Sequence, residues 1–177
     1  RARSPPRLNT RGVRELVTAL ERALTTETGG VAATGLTGPA RAAALTLLQE
    51  RTRRKLLLVV HDEASMAAWH RDLVALAQLA GKDPRGVVVF PALAADPYND
   101  IPPHPEVERE RVRALGRLAR GDLDLLLVPA QALLAWLPSP AEIAASSRVV
   151  RVGDQLPPER FLLLSLRAGY RRVDTVA

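Results

Sequence analysis

Apolar residues recur along this chain in two rhythms. Val13, Leu16, Val17, Leu20 and Leu24 return at spacings of three and four, which gathers them on one helical face, and Gly29 and Gly30 stop that helix. Between helical stretches stand short segments of strand length, Val31–Thr34, Leu56–Val60, Val87–Phe90 and Leu123–Val128. Leu56–Val60 is an unbroken apolar run between charges, the pattern of a strand buried on both faces. Ala42–Gln49, Glu63–Leu79 and Glu106–Ala119 read as the intervening helices. Asp62 caps the second of these and Gly81 ends it; Val112, Leu115 and Ala119 form the core stripe of the third, which Gly121 closes. Gln131–Leu137 reads as a short helix stopped by Pro138. Strands alternating with helices predict an α/β fold, a parallel sheet joined by crossovers and flanked by helices.

The two ends have a different texture. Arg1–Asn9 is rich in proline and arginine and reads as an extended lead-in that carries no core. With the first helix it makes a segment 1–28, followed by the α/β domain over 29–146. Past Pro138, Ser139 and Pro140 come a β-like Arg148–Val152, a helix over Pro158–Ala168 and a strand-like Arg171–Val176. A boundary therefore falls near Ser146, and 147–177 reads as the start of a second, α+β domain, because about thirty residues cannot close a core by themselves. The chain begins at Arg1 with neither methionine nor a signal-type apolar segment, so it is expected to be a fragment.

Composition narrows the function classes. At 47% hydrophobic and 25% charged, the 177 residues match an ordinary folded domain. No apolar run approaches the ~18 residues of a membrane span, so no membrane partner is expected. Cysteine is absent, which excludes disulfides, thiolate metal sites and cysteine nucleophiles, and fits a cytoplasmic location. Lys+Arg 25 against Asp+Glu 19 leaves +6, yet only Lys55 and Lys82 are lysines. So strong an arginine bias reflects base composition, and with basic residues spread along the chain it is a weak sign of nucleic-acid binding.

One segment has the placement of a phosphate-binding loop. Gly35, Leu36, Thr37, Gly38, Pro39, Ala40, Arg41 and Ala42 lie between a strand and a helix. A working loop of the form G-x-x-x-x-G-K-[ST] needs a glycine for close backbone approach, a lysine for the β/γ oxygens and a hydroxyl for magnesium. Ala40, Arg41 and Ala42 stand there instead, so the loop (Gly35, Thr37, Gly38, Arg41) is degenerate, and no cofactor or metal is expected in this segment. The bland reading is a tight strand-to-helix turn; anion binding at the helix start is the alternative. His61, Asp62 and Glu63 follow a strand as an acidic pair does in ATPases, but the spacing favours Asp62 as a cap. His61, His70 and His104 share no ligand spacing, and Glu106, Glu108 and Glu110 with Arg109, Arg111 and Arg113 read as a solvated, charge-laced face. No catalytic residue is identified.

The order of the segments GLTGPARA (35–42), LLVVHDEA (57–64), VFPALAADPYNDIPPHP (89–105), LLLVPAQALL (125–134), RVGDQ (151–155) and GYRRVD (169–174) resembles the N-terminal, UvrB-like region of the bacterial transcription-repair coupling factor, Mfd. The resemblance implies a helicase-like α/β domain with a degenerate nucleotide loop, while ATP and magnesium serve a motor elsewhere in the full-length protein. UvrB itself has an intact loop and an aromatic hairpin that clamps DNA; the matching stretch here, Ala92–Pro105, offers only Tyr98. It also implies a non-catalytic scaffold that recruits UvrA, with RNA polymerase and duplex DNA bound by other domains and this region packing on the motor. The UvrA surface is expected to need residues beyond Ala177, with Arg171 and Arg172 beside Tyr170 as the partner-binding candidates within the chain. The rival reading is a UvrB-like, ATP-binding DNA-repair helicase fragment.

Overall fold

A computed structural model of the chain describes residues 7–8, 12–26, 32–36, 38–93, 104–167, 170 and 173. In chain order the elements are β1 (Arg7–Leu8), α1 (Val13–Thr26), β2 (Ala32–Ala33), α2 (Pro39–Thr52), β3 (Leu56–Val60), α3 (Glu63–Leu79), β4 (Val87–Val89), α4 (Pro105–Arg120), β5 (Leu125–Pro129), α5 (Pro140–Ser146) and α6 (Pro158–Arg167). Short 3-10 helices lie at Pro84–Gly86 and Ala130–Leu134.

The main sheet is parallel, with the order β3-β5-β4, so the last strand in sequence is central. Leu56 pairs with Leu125 and Val60 with Pro129 on one side; Val87 pairs with Leu125 and Val89 with Leu127 on the other. Every residue of β5 is buried. Its alternate side chains feed two cores. Leu125 and Leu127 meet Met66 and Leu73 of α3, Ala42 of α2 and Val60 of β3. Leu126 and Val128 meet Val88, Phe90 and Ala114 of α4 on the opposite face. A third cluster joins α1 to α2 through Leu16, Val17, Ala44 and Leu48. The result is an α/β architecture with helices on both faces of a parallel sheet.

Several local expectations need correction. β2 is not a fourth strand of the main sheet; it pairs in parallel with β1, placing a strand in the proline-rich lead-in. β3 is not buried on both faces: as an edge strand it turns Leu57 and Val59 outward at 61% and 45% exposure. An apolar run reports a strand, and whether both faces are covered depends on how far the helices reach across the sheet. On α4 the buried positions are Arg111, Ala114 and Gly116, while Val112 is 66% exposed and Ala119 lies at the surface. That face is displaced from the expected stripe because the long stem of Arg111 serves as packing surface. The run Gln131–Leu137 holds only the 3-10 helix Ala130–Leu134, and β5 starts at Leu125. Arg148–Val152 forms no strand, and the unforeseen α5 sits before it with a capping box between Ser139 and Glu142. The strand-like Arg171–Val176 lies outside the described residues, apart from Val173. Among the described residues no helix is long and apolar enough to cross a membrane.

Candidate functional site

The phosphate-loop position follows β2 and therefore leaves from the two-stranded ribbon rather than from the main sheet. Gly35 and Gly38 have φ of 88° and 47°, a left-handed backbone that glycine adopts without a Cβ penalty. Gly38 precedes α2 without a side-chain cap, and Pro39 occupies the first helical position, where a missing N–H removes one donor from the helix start. Thr37 lies outside the described residues.

Arg41, which is exposed, and Ala42, which is buried, sit in the first turn of α2. The Arg41 guanidinium lies 4.8 Å from the centre of the Trp69 ring on α3, at the wall of an apolar cavity of about 220 Å³ formed with Leu16, Leu36 and Leu48. Ala42 is fully buried in the cluster of Val60, Met66, Leu73, Leu125 and Leu127. The position that carries a metal-binding hydroxyl in a working loop is thus a core position here. Its small side chain is what lets α2 approach the sheet.

The C-terminal edge of the parallel sheet, where ligands of open α/β folds gather, is held by a different set of residues. At the exit of β3, the Asp62 carboxylate accepts the Ser65 N–H at 2.7 Å and caps α3. Hydrogen bonding by Ser65, through its side chain and then its backbone, holds the Asp62 carboxyl below its ordinary value. His61 beside it is exposed. Glu63, itself exposed, reaches to the β4 exit, its Oε1 accepting the Ala92 N–H at 2.6 Å. From the other face Arg111, 6% exposed, donates to the Pro91 carbonyl and lays its guanidinium 4.0 Å from the centre of the Phe90 ring. Burial pulls the Arg111 pKa down and the Glu63 carboxylate opposes that shift. Residues 90–92 are therefore clamped from α3 and α4 together.

Sequence reasoning assigned Arg111 to a solvated face. Its burial is a tertiary fact, because the periodicity of α4 marks a charged residue as outward whatever its stem touches. The remaining sequence-derived candidates do not assemble. His104 caps α4, its Nδ1 accepting the Glu106 N–H at 3.3 Å, and His61 and His70 join no cluster; among the described residues no group of three or more histidines and carboxylates is placed to hold a metal. Arg171 and Arg172 lie outside the described residues; Tyr170 beside them is exposed and donates its N–H to the Ser165 carbonyl. A polar crevice of about 640 Å³ opens at the opposite, N-terminal end of the sheet, yet its cations are engaged within it: Lys55 on the Gly121 carbonyl, Arg117 on the Arg85 and Asp122 carbonyls, Arg85 on Asp83.

Fold and site together define an α/β domain, a parallel sheet with helices on both faces, in which the arginine after the Gly35–Gly38 turn stands over a tryptophan. Sequence comparison carries this further. The chain is 26% identical over 144 residues to a transcription-repair-coupling factor of Bacillus subtilis, covering 81% of this chain and 12% of that protein. It is 28% identical over 137 residues to the transcription-repair-coupling factor of Haemophilus influenzae (77% and 11%), and 26% identical over 151 residues to one from Staphylococcus aureus (84% and 12%). No protein-family model matches the chain. About four fifths of the chain is thus similar to transcription-repair-coupling factors, and it spans about an eighth of the length of these relatives.

Proposed function

We propose that the chain is a non-catalytic module of a cytoplasmic transcription-repair-coupling factor and works as a scaffold that recruits UvrA for nucleotide excision repair. ATP and magnesium belong, in this reading, to a motor elsewhere in the full-length protein, which also engages RNA polymerase and duplex DNA. The observation that carries it is the pairing of Arg41 with Trp69 beside a core-buried Ala42, in a chain similar to proteins of that name. A methyl group sunk in the core supplies no metal ligand, and an arginine set over an indole stands in place of the lysine that grips the phosphates in phosphoryl transfer.

Two measurements test the reading. Magnesium-dependent ATP turnover by the purified chain should not exceed a heat-killed control; turnover that disappears on Arg41→Ala identifies a working nucleotide site and overturns it. Deleting this region from a full-length factor should weaken UvrA binding while ATP turnover by the motor persists. Undiminished UvrA binding after the deletion defeats the recruitment role.

A further inference from the structure

We propose that the cavity between α2, α3 and the first residues of β4 and β5 binds a free α-amino acid with an apolar side chain. The cavity has a volume of about 300 Å³, at the lower end of the range for small-molecule sites. Its floor belongs to the core: Leu73 and Ala77 of α3 and Leu125 of β5 are all buried. Such a floor holds water poorly and gains from an apolar group seated on it.

The rim is polar, and two of its charges are unpaired. Lys82 is paired with Glu50 and Asp83 with Arg85, each at 2.7 Å. The Arg53 side chain has no hydrogen-bond or ion-pair partner among the described residues, although it follows α2 with φ of 53°, where glycine would carry no Cβ strain. Asp124, the residue before β5, is nearly as free. Gln49 Nε2 approaches one of its carboxylate oxygens at 3.5 Å, the outer limit of a hydrogen bond, and the carboxylate has no other such partner among the described residues. Gly86 leaves room for that carboxylate, because a Cβ there would collide with Asp124 Oδ2. Gln49 makes the two charges neighbours: its carbonyl accepts the Arg53 N–H at 2.8 Å while its side chain reaches toward Asp124. Arg53 and Asp124 nevertheless form no ion pair with each other.

The ligand that completes this site carries an anion, a cation and an apolar group on adjoining atoms. That is the zwitterion of leucine, isoleucine, valine or phenylalanine. Arg53 forks its carboxylate, Asp124 accepts its ammonium, and its side chain covers the floor. A phosphate would suit Arg53 but meet the like charge of Asp124, an amine would reverse the conflict, and a neutral apolar molecule would leave both charges unmatched. The cavity lies at the opposite end of α2 from the Gly35–Gly38 turn, and the inference does not depend on the recruitment reading.

The test is calorimetric titration of the whole 177-residue chain with leucine, isoleucine, valine and phenylalanine, each to about 10 mM. At least one of them should bind saturably, and alanine, with only a methyl group to seat, should bind at least about tenfold more weakly. The N-acetyl derivative of the best ligand lacks the ammonium and its amide lacks the carboxylate, so each should lose at least about tenfold. Arg53→Gly and Asp124→Asn should weaken binding by a similar factor, and Arg109→Ala on α4 should leave it unchanged. Thermal melts show that each variant is folded, and the ligand series decides the matter without any substitution. No saturable heat from any of the four amino acids overturns the proposal. So does equal binding of the acetylated or amidated derivative, or an affinity unmoved by either Arg53→Gly or Asp124→Asn.

Discussion

The guanidinium of Arg41 stands over the indole of Trp69, 4.8 Å from its centre, and so ties the first turn of α2 to the second turn of α3. Arg41 remains exposed, so the contact is a bridge between two helices at the surface. The pair should add about 0.5–1 kcal/mol at a partly exposed site.

Arg41→Ala is accordingly expected to lower the unfolding free energy by about that amount and to alter the emission of Trp69. With Trp136→Phe in the background Trp69 is the single emitter, because the chain has two tryptophans. An unchanged melting curve together with unchanged emission would remove the pairing from the account.

Arg111→Met keeps the length of the stem and deletes the donor. The buried Pro91 carbonyl then loses its partner, which should cost about 1–3 kcal/mol in a urea titration. Glu63→Ala removes the other half of the clamp, and the Ala92 amide should exchange with solvent at least tenfold faster. Slow exchange in that variant would mean that Arg111 holds the β4 exit unaided.

Arg53 follows α2 with φ of 53°, left-handed and not glycine. Arg53→Gly should stabilise the chain by up to about 1 kcal/mol, since the strain of a Cβ in that region exceeds the entropy glycine adds to the unfolded chain. A lowered melting temperature would show that the side chain contributes more than the backbone conformation costs.

Two leucines in paired strands of one sheet should behave oppositely. Leu127 is fully buried in β5, and Leu127→Ala should cost about 2–5 kcal/mol. Leu57 points outward from the edge strand β3, and Leu57→Ala should stay within about 0.5 kcal/mol. Denaturant midpoints at unchanged slope decide it.

Asp62 gives the acid limb of stability a sign. Ser65 lowers its folded pKa below the ordinary 3.8, so the ionised cap stabilises the fold at pH above 3.8 and that contribution is lost as pH falls through the depressed folded value. Asp62→Asn also caps but does not titrate, so the stability difference between the two proteins should change only on acidification below 3.8. An Asp62 carboxyl midpoint at or above 3.8 in an NMR titration contradicts the hydrogen-bonded cap.

Local chemistry carried much of the fold into view from the residues alone. Helix α3 runs over Glu63–Leu79 and is capped by Asp62, as its pattern predicts, and Gly121 ends α4 with φ of 65°. These features depend on a few neighbouring groups: a side-chain acceptor for a free N–H, a residue without Cβ for a left-handed turn. That Arg41 and Ala42 stand where a G-x-x-x-x-G-K-[ST] loop would carry a lysine and a hydroxyl is likewise legible without coordinates, because it is a property of the side chains themselves.

Other features needed the tertiary arrangement. Leu56–Val60 and Leu125–Pro129 are both almost wholly apolar, yet one is an edge and the other the centre, since strand order follows from the crossovers and not from hydropathy. β2 left the main sheet for β1, a pairing between residues 25 positions apart that no local period encodes. Arg111 became a buried clamp and Arg41 a partner of Trp69 because long amphipathic side chains bury or expose according to what faces them. Sequence by itself determined which segments are helices and strands and which groups a site could use; only packing decided which of those groups meet, since contacts between distant residues depend on how the elements dock.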